Sequence, residues 1–302
     1  MTDLLSAILR SNLAMGLAIL LVIALRGTAR RQFGARAAYS LWLVPVVAAL
    51  ASLLPALRSQ PLPASSAPQG PLQSLSHLAF VGDAAPLPPI LIIVWLTGTC
   101  GLALAFAKAQ AQFLEKVDQG VAGPAIVGLL DPRLVLPQDF ALRFSPEEQA
   151  LIRAHEKAHL DSDDPRANGL IAALQCLFWF NPLIHWAARL VRLDQEMACD
   201  ALVMARFPKA RRQYAGAMLK TQMSQDRLPV GCHWGGHPLE ARILVLKAPS
   251  VSRLRSAAGT CLVAALALTC LATVWSLQPP RIELPPEAPA PLRVMDLLIV
   301  RS

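Results

Sequence analysis

Two histidines and three carboxylates carry the chemistry open to this sequence. His155-Glu156-Lys157-Ala158-His159 sets two imidazoles four residues apart, about 40° apart around a helix and therefore on one face. Such a pair can hold a zinc ion, and Glu156 beside it is placed to handle the proton of a metal-bound water. The pattern fixes only three positions, so a second run matters: Glu196-Met197-Ala198-Cys199-Asp200. Glu196 would supply the third ligand and leave the open position that a catalytic zinc needs. Zinc lowers the pKa of its water toward neutrality, and Glu156 would accept the proton and pass it to a leaving amine. Asp200, one turn beyond Glu196, is placed to hold a ligand histidine in its correct tautomer.

Several neighbours admit two readings. His155 and His159 could be plain surface histidines of an amphipathic helix, a reading that the matched downstream acids weaken. Cys199 either binds zinc or flanks the site, three helical positions from Glu196. Asp163-Asp164-Pro165 either caps the next helix or puts Asp164 beside the end of the zinc helix. In the run from His237-Pro238 to Arg242-Ile243, His237 or Arg242 could return to the cleft as an oxyanion donor, or the run is a turn into a short helix. His185 would lie roughly 16 Å from Glu196 along its helix, which points to a structural or interfacial role.

The elements that must position these groups are well marked. Ser145-Pro146-Glu147-Glu148 is a helix start with an N-cap serine, proline at the first helical position and the glutamate of a capping box. That helix should end near 161–165. A second apolar helix should run to Phe180, and Asn181-Pro182 opens a third that reaches about Phe207 with Glu196 on it. Upstream, residues 125–127 and 133–136 read as short strands of a hairpin or small sheet. Residues 167–191 are apolar enough to pass for a span. A crossing there would put the histidines and Glu196 on opposite sides, so the expectation is a hairpin beneath the zinc helix or dipping into the inner leaflet.

The chain around this segment is unusual for a soluble protein. It is 54% hydrophobic and 16% charged, with mean hydropathy +0.44, against roughly 25% charged residues in a typical domain. Four stretches, 4–25, 37–57, 90–107 and 257–275, reach or approach the about 20 residues needed to cross a bilayer. Basic residues cluster at Arg26, Arg30, Arg31 and Arg36, at Lys108, and at Lys247, Arg253 and Arg255. The positive-inside rule then puts the N-terminus outside, a Pro-rich loop 58–89 in the periplasm, residues 108–256 in the cytoplasm and a Pro-rich tail 276–302 outside. The first span has no basic leader or small-residue cleavage site and reads as an anchor. The net charge of +8 follows from the cytoplasmic membrane face, with no arginine-rich, aromatic-laced stretch for direct nucleic-acid binding. Six cysteines are too sparse for a disulfide framework. The expected fold class is thus a mostly α integral membrane protein of the bacterial inner membrane, with a gluzincin-like α+β metallopeptidase segment between its third and fourth helices.

The combination of Gly123-Pro124-Ala125 through Val135-Leu136-Pro137, His155 to His159, Asp164-Pro165, Phe178-Trp179-Phe180-Asn181-Pro182 and Glu196 to Asp200 resembles the BlaR/MecR-type antirepressor metallopeptidases over nearly the whole chain. The resemblance implies one zinc held by His155, His159 and Glu196, with Glu156 as base. It also implies a protein substrate, either the chain itself or a cytoplasmic transcriptional repressor. The run at 237–243 is similar to one in heat-shock and prenyl-protein membrane proteases, so membrane-protein quality control is a second enzymatic reading. A non-catalytic transducer is the third. In the sensor-transducers a penicillin-binding domain follows the fourth span; the short tail here leads us to expect a separate sensor partner. Oligomeric state is not legible.

Overall fold

The computed structural model describes residues 2–56, 89–221, 232–233, 242–243, 246 and 251–278. The chain is mostly helical. Among the described residues three helices are long and apolar enough to cross a membrane: α1 (Thr2–Phe33), α4 (Pro89–Asp118) and α10 (Arg253–Ser276). The first and third of the predicted spans therefore continue well past their apolar stretches, to Phe33 and Asp118. The Pro-rich loop and the tail lie outside the described residues.

The stretch predicted as one span over 37–57 folds differently. It makes two short helices, α2 (Ala35–Ser40) and α3 (Leu43–Ala51), each shorter than a crossing requires. Gly34 separates α1 from α2 at φ +94°, a backbone region open to glycine. The break between α2 and α3 falls at Leu41 and Trp42 because Pro45 has no N–H to offer the Leu41 carbonyl four residues back. Val44 N–H takes that carbonyl instead, at 3.0 Å.

Helices α1, α3 and α10 form one packed bundle. Met15, Ile19, Val22, Val44, Ala48 and Val263 are buried within it. Polar pairs lie within it: the Ser11 and Ser52 hydroxyls meet at 2.8 Å, and Trp275 Nε1 donates to Pro55 O at 2.8 Å. By contrast α4 has no buried residue in its apolar window. It leans on the next hairpin at Gly98, where a Cβ would sit 2.1 Å from the Trp179 indole. Trp95 Nε1 donates to Leu177 O at 2.8 Å, and Trp179 Nε1 returns the bond to Trp95 O at 3.2 Å.

After α4 comes a small antiparallel sheet of order β2-β1-β3, built from β1 (Ala125–Val127), β2 (Arg133–Val135) and β3 (Cys232–His233). Ile126 pairs with Leu134 on one side and Cys232 on the other. The helices that follow are α5 (Phe140–Arg143), α6 (Pro146–Asp161), α7 (Asp164–Leu177), α8 (Pro182–Arg206) and α9 (Arg211–Thr221). Phe140, Phe144, Leu151, Ile152, Val203, Met204 and Met218 form a second core between α5, α6, α8 and α9, each large side chain contributing about 1.5–3 kcal/mol of burial.

The 167–191 stretch is indeed two helices. Asn181 caps α8 by accepting from Leu183 N–H at 2.9 Å, and His185 locks the turn, Nε2 donating to Trp179 O at 2.9 Å and Nδ1 accepting from Gln175 at 3.1 Å. The hairpin lies along α1. Asn181 Nδ2 donates to Asn12 Oδ1 at 2.7 Å, and further up Arg26 grips Asp194 with two bonds of 2.8 and 2.7 Å. Helices α1 and α8 therefore run in the same direction.

Candidate metal centre

The centre is assembled from α6 and α8. Ser145 caps α6 through the reciprocal bonds of a capping box, Glu148 N–H to Ser145 Oγ and Ser145 N–H to Glu148 Oε2. That start sets the phase which turns His155, Glu156 and His159 inward, all at most 1% exposed. Across from them α8 contributes Glu196, Cys199 and Asp200, also buried.

His155 Nε2 and His159 Nε2 lie 3.0 Å apart. Glu196 Oε2 is 3.3 Å from the first and Glu196 Oε1 3.5 Å from the second. These three residues offer ligand atoms that lie within 4.8 Å of one another. The opposite ring nitrogens are held from behind. His159 Nδ1 is 2.7 Å from Asp164 Oδ2. His155 Nδ1 is 2.8 Å from the Tyr214 hydroxyl and 3.2 Å from Asp200 Oδ1, and Tyr214 donates to Asp200 at 2.7 Å. Because Asp164 can only accept and the Tyr214 proton is given to Asp200, both Nδ1 atoms are the donors. Both Nε2 atoms then present lone pairs to the same small space, an arrangement that a cation between them resolves.

Asp164 reaches this position through the chain reversal after α6. Asp163 adopts φ +58°, rare for a residue with a side chain, and it makes no side-chain cap bond to α7. The acidic pair therefore does not cap through Asp163; Asp164 folds back onto His159. Arg242 lies on the other side, donating to Asp200 at 2.8 and 2.7 Å and standing 3.0 Å from Glu196 Oε2. That last contact is an ion pair not aligned as a hydrogen bond. With its guanidinium 1% exposed, Arg242 orients these two acids. His237 lies outside the described residues.

The electrostatics separate the two glutamates. Burial would raise both. For Glu196 the charge of Arg242 overcomes burial and holds it well below the usual carboxylate range. For Glu156 burial prevails over the nearby histidines and the pKa is raised. Both Glu156 oxygens are buried with no hydrogen-bond partner among the described residues. Four buried carboxylates, Glu156, Asp164, Glu196 and Asp200, surround the buried Arg242 guanidinium, a setting suited to a divalent cation. The residues thus fit a metal, with two nitrogens and one oxygen as donors.

Cys199 belongs behind the site. Its Sγ is 3.4 Å from His159 Nδ1 and 3.7 Å from Asp164 Oδ2, on the side of the ring away from His155. His159, Asp164 and Cys199 form a second cluster of possible ligands, but binding there would take Nδ1 from Asp164. Burial also pushes the Cys199 thiol up to about 12, so it is not a ready thiolate.

Three contributors carry no sequence signal. Tyr214 sits on the polar helix α9, and Tyr39 reaches Asp164 from α2, its hydroxyl donating at 2.7 Å. Asp194, two residues before Glu196, pairs with Arg26 on α1. No spacing rule links residues so far apart in the chain.

The family model described as BlaR1 peptidase M56 matches residues 6–86 and 103–246, which is most of the chain and includes every residue of the centre. The chain belongs to this family. It is also similar to the Regulatory protein BlaR1 of Bacillus licheniformis, 28% identical over 125 residues, 40% of this chain and 21% of that relative. The match thus spans about a fifth of the relative's own length. Membership in a metallopeptidase family implies a metal, and the converging His155, His159 and Glu196 are donors that could hold it. The apolar helices and the family together mark a membrane protein.

Proposed function

We propose that this chain is a membrane-embedded zinc endopeptidase of the gluzincin type. The observation that carries the reading is Glu156, fully buried, with both oxygens lacking a hydrogen-bond partner among the described residues and two converging imidazoles beside it. A buried carboxylate without partners is costly, and it is retained where a proton has to be moved. His155, His159 and Glu196 would hold the zinc. Bound there, zinc would polarise a peptide carbonyl and bring a water's pKa toward neutrality. Glu156, its own pKa raised by burial, would take a proton on a carboxylate oxygen and deliver it to the leaving amine. Asp164 and the Tyr214–Asp200 pair keep both Nε2 atoms inward, and Arg242 orients Glu196.

The membrane arrangement we infer has four crossings, with α2 and α3 together making the second. The N-terminus and the tail lie outside, and the centre faces the cytoplasm of a bacterial inner membrane. The basic residues at the end of α1 (Arg26, Arg30 and Arg31) and at the start of α10 (Arg253 and Arg255) support this, as does the meeting of Trp275 with Pro55 at one end of the bundle. The substrate class we propose is the chain itself or a cytoplasmic transcriptional repressor, in keeping with a relative named as a regulatory protein.

Metal analysis of the purified chain tests the first step, with one zinc per chain expected and its loss on His159→Ala. Glu156→Gln tests the second. Should proteolysis persist in that variant at the parent rate, the catalytic reading is wrong.

A further inference from the structure

Helix α2 reaches the metal centre. It packs along α8, with Ala35 buried against Met197 and Ala198 and Tyr39 beside them. The Tyr39 hydroxyl donates to Asp164 Oδ1 at 2.7 Å, and the other oxygen of Asp164 holds His159 Nδ1 at 2.7 Å. Gln195 Nε2 donates to the Tyr39 oxygen at 3.0 Å. With that lone pair filled, the phenol proton is directed at Asp164. The series Gln195, Tyr39, Asp164, His159 thus has its polarity set from end to end. Three residues beyond Tyr39, Trp42 Nε1 donates to Asp194 Oδ2 at 2.8 Å. The same membrane-proximal segment is therefore fastened both to the residue behind His159 and to the helix that bears Glu196.

A carboxylate held at one oxygen only can swing about its Cβ–Cγ bond, and the imidazole bonded to it swings too. Asp164 is fully buried and is held at both oxygens. Tyr39 supplies the hold on the far side from the ring.

We propose that Tyr39 is a positioning residue of the metal centre. Its hydroxyl fixes Asp164 and thereby keeps His159 Nε2 aimed at the metal, so that the seating of α2 sets metal affinity. The inference rests on His155, His159 and Glu196 binding zinc.

The test uses the full chain in detergent micelles, carrying Glu156→Gln so that it cannot cut itself. Zinc affinity is read by competition with a chromogenic chelator. Tyr39→Phe keeps the ring and removes only the hydroxyl. It is expected to weaken zinc binding about 10-fold, the lower end for groups that orient metal ligands, with a modest fall in the melting temperature of the metal-free protein from the hydrogen bond lost at buried Asp164. Trp42→Phe loosens the same segment at its other fastening. It is expected to lower the melting temperature and leave zinc affinity within about 2-fold, since Asp194 does not hold a ligand ring. Parent-like zinc affinity in Tyr39→Phe, or an equal loss in both variants, overturns the positioning role. If Tyr39→Phe fails to fold, Gln195→Met replaces it in the same comparison. A loss of about 3-fold or more supports the role, and parent-like affinity overturns it. A parent that binds no zinc overturns the proposed function and this inference with it, whereas a zinc-binding parent with an indifferent Tyr39→Phe overturns this inference alone.

Discussion

His155 and His159 face each other through Nε2 atoms 3.0 Å apart, while their Nδ1 atoms are held from behind by Tyr214 and Asp164. Neither ring can turn its lone pair away without giving up a buried hydrogen bond. The metal-free centre is therefore a strained arrangement, and ligand removal should be felt in stability. We predict that chelation lowers the melting temperature of the detergent-solubilised chain and that zinc restores it. At a free zinc concentration 100 times Kd the gain is about 2.7 kcal/mol. A melting curve indifferent to both chelator and zinc would count against a metal between these rings.

Glu156 predicts a separation of binding from chemistry. Glu156→Gln keeps the volume and removes the base, so zinc content should persist while peptide cleavage falls about 10²–10⁴-fold. Parallel metal analysis and a cleavage assay check this; loss of zinc together with activity would mean that Glu156 serves as a ligand.

Glu148 predicts an acid-dependent component of stability. Its carboxylate caps α6 and meets Lys220 at 2.7 Å. Burial alone would raise it, but Lys220 and the Ser145 N–H hold its pKa below the ordinary value of 4.5. A depressed folded pKa contributes stability that is present above the unfolded pKa and is lost as pH falls through the folded one. Melting temperatures from pH 6 to pH 3 should therefore fall less steeply in Glu148→Gln than in the parent. Loss of the cap itself should cost about 0.5–2 kcal/mol at neutral pH in Glu148→Ala.

The Arg26–Asp194 pair predicts strong coupling between α1 and α8. Asp194 is fully buried and receives two bonds from Arg26 and one from Trp42. Arg26→Met leaves that carboxylate without its main counter-charge, at a cost of about 3–5 kcal/mol. Adding Asp194→Asn should recover part of the loss, because the buried charge is gone. A double variant less stable than the sum of the singles would contradict this.

Much of the centre was legible from residue type and period. The capping box at Ser145 set the phase of α6, and four-residue spacing put both histidines on one face, as it put Glu196 and Asp200 together on α8. The hairpin over 167–191 was legible from Asn181-Pro182. What escaped was every contribution delivered by tertiary packing. Tyr39 lies 125 residues before Asp164 and Tyr214 lies 59 after His155, and neither belongs to a local pattern. The role of Asp164 depended on the positive φ of Asp163, since the same Asp-Asp-Pro string is equally good helix-capping sequence. The stretch expected as one helix over 37–57 comes out as two short ones because hydropathy does not register that Pro45 removes a bond and opens the helix at Leu41.

Under the proposed function, the parallel course of α1 and α8 has a bearing on which peptide bonds can be cut. From Asn12 to Arg26 is fourteen residues, and from Asn181 to Asp194 thirteen, each roughly 20 Å of helix. The two helices act as a ruler, locked at both ends, that sets the height of Glu196 about half a turn above Arg26, where α1 leaves its apolar stretch. Under that proposal, a catalytic centre at that level would work at the lipid surface. Substrates would then be sorted by reach as well as by sequence, favouring chain segments just emerging from the bilayer or proteins able to lie flat against it.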